Sequence, residues 1–386
     1  MLRIADFITP DSKFADGVMW MHDLTAEQCT HEYLISAPPA GQARPAVMLR
    51  NARRVTWLQH GSAGEYLRSH GFQAVLLHSL YSLPLPEIMA IPPGIRVFWF
   101  AFGYDIYRRP HESCPAVALP LYHPHTQHML DQIEAHRPCA APPPRFLQQL
   151  AAEYAGAVAR VDYFSGVIPA EHALMQARRY FRAQRFDYGY GNRIRFEMME
   201  QAAPYEEGDG ILVGNSADPC GNHLDVLDRL RTLDLGRRRV VVPLSYPGNY
   251  RLYARQVAVH YERVLGGRVR LLTQWLPLEE YCRVLDGCSV GIFAHVRQQA
   301  VGNLILLLWR GARLFMTEAS AVFRWYRSLG MHVFSLEHDL TQSALSEPLS
   351  VRQRDDNRAL LRRLYSQQAA LERLTRFYAL ARGEEA

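Results

Sequence analysis

What most constrains this chain is a strict alternation of short apolar strands with amphipathic helices. From residue 211 the order is ILVGNS, NHLDVLDRLRTL, RRVVVPLSY, NYRLYARQVAVHYERVLG, VRLLTQW, PLEEYCRVLDG, SVGIFAHV, NLILLLWRG, ARLFMT. Such regularity predicts a parallel, doubly wound α/β sheet. The first half repeats the theme with RIADFI, EYLIS, QAVLLHS and IRVFWFAFG as strands, the last two near-continuously apolar. Strands buried on both faces read that way. AGEYLRSHG and PLPEIMAI read as short helices; a helix over 146–159 and a strand in ARVDYFSG resume the pattern. At 386 residues the chain exceeds one comfortable core. The expected architecture is two Rossmann-like doubly wound domains facing a central cleft, over 1–200 and 208–350. The polar stretch QAAPYEEGDG links them, and a charged helix over 351–386 is expected to pack back on the first. The Pro- and His-rich stretch 108–145 reads as an irregular insertion.

Composition narrows the class of molecule. With 48% hydrophobic and 21% charged residues, the chain is an ordinary globular one. The net charge of +5 is modest, and Lys13 is the only lysine. A mild basic excess suits phosphate ligands or an anionic surface. The arginines are dispersed and the aromatics sit at core spacing, which argues against nucleic-acid binding. Six cysteines without a Cys-x-x-Cys pair imply reduced thiols. The start lacks a signal-peptide pattern, and the longest apolar run, Leu304–Trp309, is far short of the ~20 residues of a spanning helix. The expectation is a cytoplasmic protein, at most resting on a membrane. ALMQARRYFRAQRF (173–186) interleaves Arg with aromatics on an expected helix that would suit anionic lipid. HPHTQH (123–128) has metal-like density, but its Pro and loop setting favour a solvated His-rich turn.

In open parallel sheets ligands bind beyond the carboxyl ends of strands, where helix N-termini offer free N–H groups. Three such loops stand out. ILVGNSADPCGNH ends a strand in Gly214, Asn215 and Ser216: a glycine admits close backbone approach, and the polar pair offers hydrogen bonds. VVVPLSYPGNY places Tyr246 and Asn249 after a buried strand, where the ring would stack on a base or shape a turn. VRQQAVGNLILLLWRG sets Arg297, Gln298, Gln299, Gly302 and Asn303 directly before an apolar helix, more polar groups than a helix cap requires. This junction is expected to hold an anion. An Arg fork and free amides would supply the counter-charge, the alternative being a capped helix with an Arg salt bridge.

Together GNSADPCGNH, VVVPLSYPGNY and LEEYCRVLDGCSVGIFAHVRQQAVGN resemble glycosyltransferase family 56. The likeness is densest over 211–315; earlier, LLHS and FWFAFGYDIY are similar to the family's strand ending in His and to its W-x-x-x-G-x-D-x-Y. The resemblance implies a GT-B fold with a nucleotide-sugar donor, TDP-linked, in the second domain. It further implies a polyprenyl-diphosphate oligosaccharide acceptor in the first, and work in bacterial surface polysaccharide synthesis on the inner membrane's cytoplasmic face. The chain contains no Asp-x-Asp, so neither metal nor other cofactor is expected: a GT-B enzyme can meet the leaving diphosphate with helix dipole and Arg. In this reading Arg297 and the Gly302–Leu304 amides neutralise the diphosphate, and Asn215 and Ser216 hold its other side. Tyr246 faces the base and Glu318 accepts from the sugar. For the base that deprotonates the acceptor, Asp105 ranks first and His78 second, with Asp162 and Glu171 behind. Competing expectations are a non-catalytic nucleotide-sugar binding module and a GT-B nucleotide-sugar epimerase.

Overall fold

A computed structural model describes residues 1–10, 12–44, 49–107, 119–136, 143–201, 208–246 and 250–384. The chain divides into two compact units. The first comprises Met1–Ala118, Pro142–Glu197 and Tyr365–Ala386; the second comprises Leu119–Ala141 and Met198–Leu364.

Up to the second unit's sheet, the elements in chain order are β1 (Leu2–Phe7), α1 (Ser12–Asp23), β2 (Cys29–Ser36), β3 (Val55–Leu58), α2 (Ala63–His70), β4 (Ala74–His78), α3 (Leu85–Met89), β5 (Arg96–Phe100) and α4 (Gly103–Ile106), then α5 (Pro124–His136), α6 (Pro144–Arg160), β6 (Tyr163–Ser165), α7 (Ala170–Gln176), β7 (Gln184–Arg185) and α8 (Arg193–Glu200). In the first unit seven described strands form a parallel sheet ordered β3-β2-β1-β4-β5-β6-β7. The inner strands β4 and β5 are apolar and buried almost throughout, as strands covered on both faces must be.

The second unit continues with β8 (Gly210–Val213), α9 (His223–Leu230), β9 (Arg239–Pro243), α10 (Arg251–Leu265), β10 (Val269–Leu272), α11 (Leu278–Asp286), β11 (Cys288–Phe293), α12 (Val301–Arg310), β12 (Arg313–Met316), α13 (Ala321–Ser328), β13 (Phe334–Ser335), α14 (Gln342–Ser346) and α15 (Val351–Tyr365); α16 (Gln367–Arg382) closes the chain. Its parallel sheet is ordered β10-β9-β8-β11-β12-β13. Both sheets therefore reverse direction of growth between their first and fourth strands, β1/β4 and β8/β11. Rossmann-type sheets open their ligand crevice at such switch points.

Three expectations change in the structure. The stretch HPHTQH opens the helix α5, whose first amides are capped from elsewhere: His125 N and Thr126 N donate to the Asp225 carboxylate at 2.9 and 3.0 Å. The rest of the expected insertion, 108–118 and 137–142, lies outside the described residues, as does 202–207 of the expected linker. ALMQARRYFRAQRF is not one helix. It leaves α7 at Gln176, turns, and reaches the two-residue edge strand β7, with Phe181, Ala183 and Phe186 buried and Arg182, Gln184 and Arg185 exposed. The expected C-terminal helix is two helices, because Ser366 caps the second by accepting from Ala369 N at 3.2 Å. Of the two, α16 places Leu374, Phe377 and Tyr378 in the core with Ile4, Leu76 and Phe98.

Candidate active site

In the second unit the switch point brings together the loops after β8 and β11. Gly214, at φ +65°, turns the chain out of β8, and a Cβ there would lie 3.0 Å from His223 Nε2. Asn222, at the α9 N-cap with φ 49°, stitches three segments. Its Nδ2 donates to Ala294 O at 2.7 Å and Leu121 O at 3.1 Å, and its Oδ1 accepts from His123 N at 2.8 Å. Gln299 Nε2 donates back to Asn215 Oδ1 at 3.0 Å and to Ser216 Oγ at 3.3 Å. Three of the expected residues thus meet directly.

Arg297 reaches the same loop but not as a free fork. Its Nη2 donates to Asp218 Oδ2 at 2.8 Å, and both side chains are mostly buried. Burial opposes the guanidinium's charge, yet Asp218 beside it holds the group above its ordinary value. The other half of the expected anion site is open only at its first amides, because Leu304 N donates to Ala300 O at 3.0 Å. Helix α12 starts from Ala300 in the left-handed region, φ 62°, with no side-chain cap. Gly302 is exposed, and nothing lies within 4 Å of where its Cβ would be. Gln298 is buried, and Asn303 turns away to donate to Tyr281 OH at 2.7 Å, pinning α12 to α11.

Tyr246 is half exposed beyond β9, and its carbonyl accepts from Ala217 N at 2.5 Å, so this loop runs beside the β8 loop. Asn249 lies outside the described residues. Glu318 follows β12 on the surface, 3.8 Å from His338 Nε2, where its backbone N–H donates to Glu337.

Two histidines at this site were missed. His295, two residues past β11, has both ring nitrogens buried and unpartnered among the described residues. Burial and then the Arg297 charge lower its pKa to about 3. His223 pairs with Tyr253 OH at 3.2 Å through Nδ1 and leaves Nε2 bare beneath Gly214. Burial lowers its pKa to about 4. Both are neutral near pH 7. Their one sequence signal was position: each sits at a strand or helix terminus facing a switch point.

The first unit's switch point carries a second polar cluster. Asp6, fully buried near the end of β1, accepts from His78 Nε2 at 2.9 Å and from His31 Nδ1 at 2.6 Å. His22 Nε2 pairs with Tyr188 OH at 2.8 Å. By itself burial would raise the Asp6 pKa, but the His31 and His22 interactions outweigh it and hold the carboxyl far below the usual range. Asp6, His22 and His31 offer ligand atoms within 4.8 Å of one another. Their geometry does not suit a metal, since the His22 and His31 rings stack at 3.6 Å and 19°, so their lone pairs run side by side instead of converging.

Asp105 is fully buried and both its oxygens are engaged, from Ser79 Oγ at 2.7 Å and Phe102 N at 2.8 Å. It holds a turn and offers no open face to an acceptor. Asp162 sits at the amino end of β6, accepting from Val97 N at 2.8 Å and Arg160 at 3.1 Å, the wrong end of the sheet for a base. Glu171, also buried, accepts from Ile168 N at 3.1 Å in the first turn of α7. The non-glycine residues with positive φ, among those described, are Ser79, Asn222 and Ala300. All three lie in switch-point loops, where strained backbone tends to mark function.

Residues 168–357 match the family described as 4-alpha-L-fucosyltransferase, glycosyl transferase group 56. Over that span, just under half of the chain, the sequence is that of glycosyltransferase group 56. The chain is a glycosyltransferase, and its two parallel-sheet domains are of the GT-B type. Solved structures agree on the fold. The chain is similar to sucrose-phosphate synthase from Thermosynechococcus elongatus, with TM-score 0.65 and 11% identity over 100% of both chains. It is also similar to an α,α-trehalose-phosphate synthase (UDP-forming) from Burkholderia vietnamiensis, with TM-score 0.59 and 13% identity over 100% of both. A glycosyltransferase involved in avilamycin A biosynthesis gives TM-score 0.50 and 14% identity over 99% of both. At such identities the likeness carries the fold, and the family carries the reaction class.

Proposed function

We propose that this glycosyltransferase moves a deoxyamino sugar, such as 4-acetamido-4,6-dideoxygalactose, from a TDP-sugar to a polyprenyl-diphosphate-linked oligosaccharide. The setting is bacterial surface polysaccharide assembly at the cytoplasmic face of the inner membrane. The observation that carries the donor half is the uncapped, open start of α12 beside Arg297 at the β8/β11 switch point. A diphosphate there replaces Asp218 as the partner of Arg297 and accepts from the first amides of α12. Helix dipole and guanidinium then meet the charge that develops on the leaving group. Asn215, Ser216 and Gln299, already joined across the two loops, line the opposite side. Tyr246 and Glu318 flank the strand ends where base and sugar would lie. The lipid-linked acceptor rests on the family resemblance. No helix among the described residues is long and apolar enough to cross a membrane, and Arg179 and Arg182 are exposed toward any anionic surface.

Thermal-shift titration with TDP-, UDP- and GDP-sugars tests the donor reading. TDP-sugars should raise Tm most, and no shift with any nucleotide sugar would end it. Arg297→Ala should weaken TDP binding roughly 10- to 100-fold, the loss of about 1.5–3 kcal/mol for a hydrogen bond to a charged group. Turnover separates this reading from a binding module, which would hold TDP and never transfer the sugar.

A further inference from the structure

The first unit's switch point holds a histidine whose tautomer the geometry dictates. In the parallel register Asp6 stands opposite Leu76, so His78, two residues on, shares its face of the sheet. The Asp6 carboxylate, ionised as argued above, can only accept. His78 Nε2, 2.9 Å away, must therefore carry a proton, and the one tautomer compatible with that bond has its lone pair on Nδ1. That nitrogen is buried and has no hydrogen-bond partner among the described residues. An orphaned buried acceptor is costly to a fold and needs an explanation.

The backbone beside it is strained as well. Ser79, the next residue, has φ 89° and ψ 143°, a conformation that non-glycine residues rarely adopt. The turn is held from several sides. Ser79 Oγ donates to Asp105, Ser82 Oγ donates to Ser79 O at 2.7 Å, and Asp105 also fastens Phe102 N. A strained, over-determined strand end that carries a buried, unpartnered ring nitrogen has no packing rationale.

We infer that His78 Nδ1 takes the proton of the acceptor hydroxyl, and that Asp6 is the positioning residue that fixes the ring for it. This rests on the glycosyl-transfer reading above. In the step, the hydroxyl proton passes to His78 Nδ1 as the acceptor oxygen bonds to the anomeric carbon of the donor. The bond from that carbon to the phosphate oxygen breaks, and its electron pair leaves with the nucleoside diphosphate. The resulting imidazolium is balanced by Asp6 across the Nε2 hydrogen bond, and its proton later passes to water. Asp105 serves indirectly, by holding Ser79 and with it the end of β4. The groups facing the ring are Asp6 from β1, His22 from α1 and Tyr188, whose ring centroid is 5.7 Å away.

Two experiments on the full chain decide it. Nitrogen NMR of the histidine-labelled protein, with the resonance of residue 78 found by its loss in His78→Gln, should show Nε2–H and a bare Nδ1 at neutral pH. The opposite tautomer overturns the inference whatever the substrates are, and Asp6→Asn should abolish the preference. The second experiment measures transfer from TDP-4-acetamido-4,6-dideoxygalactose to an undecaprenyl-diphosphate disaccharide. His78→Gln, which keeps a donor toward Asp6, should lower kcat ~10²–10⁴-fold with TDP affinity and unfolding temperature unchanged. Asp6→Asn should lower kcat with little change in donor KM, and imidazole should restore turnover to His78→Ala. Near-normal kcat in His78→Gln overturns the base assignment. A wild-type chain inert with these substrates instead overturns the proposed donor or acceptor, while the tautomer still decides His78.

Discussion

Residue by residue, the buried ionisable groups make this protein acid-sensitive. His223 has a folded-state pKa of about 4, below the ordinary value of 6.5. The unfolded chain takes up that proton first, so the stabilisation is complete above about pH 6.5 and drains as pH falls toward 4. His295, at about 3, acts in the same direction. Urea unfolding should show roughly 2 kcal/mol less stability at pH 5 than at pH 7 from His223 alone, and His223→Gln should flatten that slope. An unaltered slope would remove His223 as its source. Asp105→Asn keeps the fold but cannot accept through both positions. A loss of about 1–3 kcal/mol in denaturant melts, with kcat reduced less than in His78→Gln, is the expected pattern for a residue that holds a turn. Asp105 was legible as important from its place past a strand end. Its partners, Ser79 and Phe102 N, were not, because they arrive from β4 and from its own turn only after folding.

At the scale of elements, the second sheet is where sequence and structure agree most closely. Long apolar runs such as SVGIFAHV and NLILLLWRG leave one period to read, and β11 and α12 form where those runs stand. The contact between them is tight. A Cβ on Gly291 would meet Leu314 Cδ2 at 2.7 Å, Phe293 Cε2 at 2.8 Å and Leu307 Cδ1 at 2.9 Å. Gly291→Ala should therefore cost about 1–3 kcal/mol through overpacking. It should also shift α12, and so weaken TDP binding in an equilibrium titration. A stabilised variant would mean the layer has slack. The edge strands were harder to read. VTWL of β3 and the two residues of β7 are too short for periodicity to register, and an Arg-rich edge strand mimics a basic helix face.

For the molecule as a whole, the two units are assembled from interleaved pieces of chain. The first unit takes back residues 365–386 after the second is complete. In its core Phe377 meets Phe98 at a ring-centroid distance of 4.8 Å, with Leu374 and Tyr378 fully buried. Phe377→Ala should cost roughly 3–5 kcal/mol. A chain ending at residue 364 should lose cooperative melting of the first unit while the second still binds TDP. Retained two-unit melting would show that α16 is dispensable.

The sequence by itself determined the fold class, the order of strands and helices over 211–316 and the resemblance to glycosyltransferase group 56, and it singled out the strand-end loops of the proposed site. Those follow from local periodicity and from residue types at strand ends, which survive without knowing what touches what. Only the tertiary structure decided that Arg297 rests on Asp218, that Asp105 is a brace, and that Asp6, a lone acid in the apolar stretch RIADFI, pairs with His78 and His31. Each depends on residues from 25 to 79 positions apart meeting across neighbouring strands, and parallel pairing places such partners together only when the whole sheet is built.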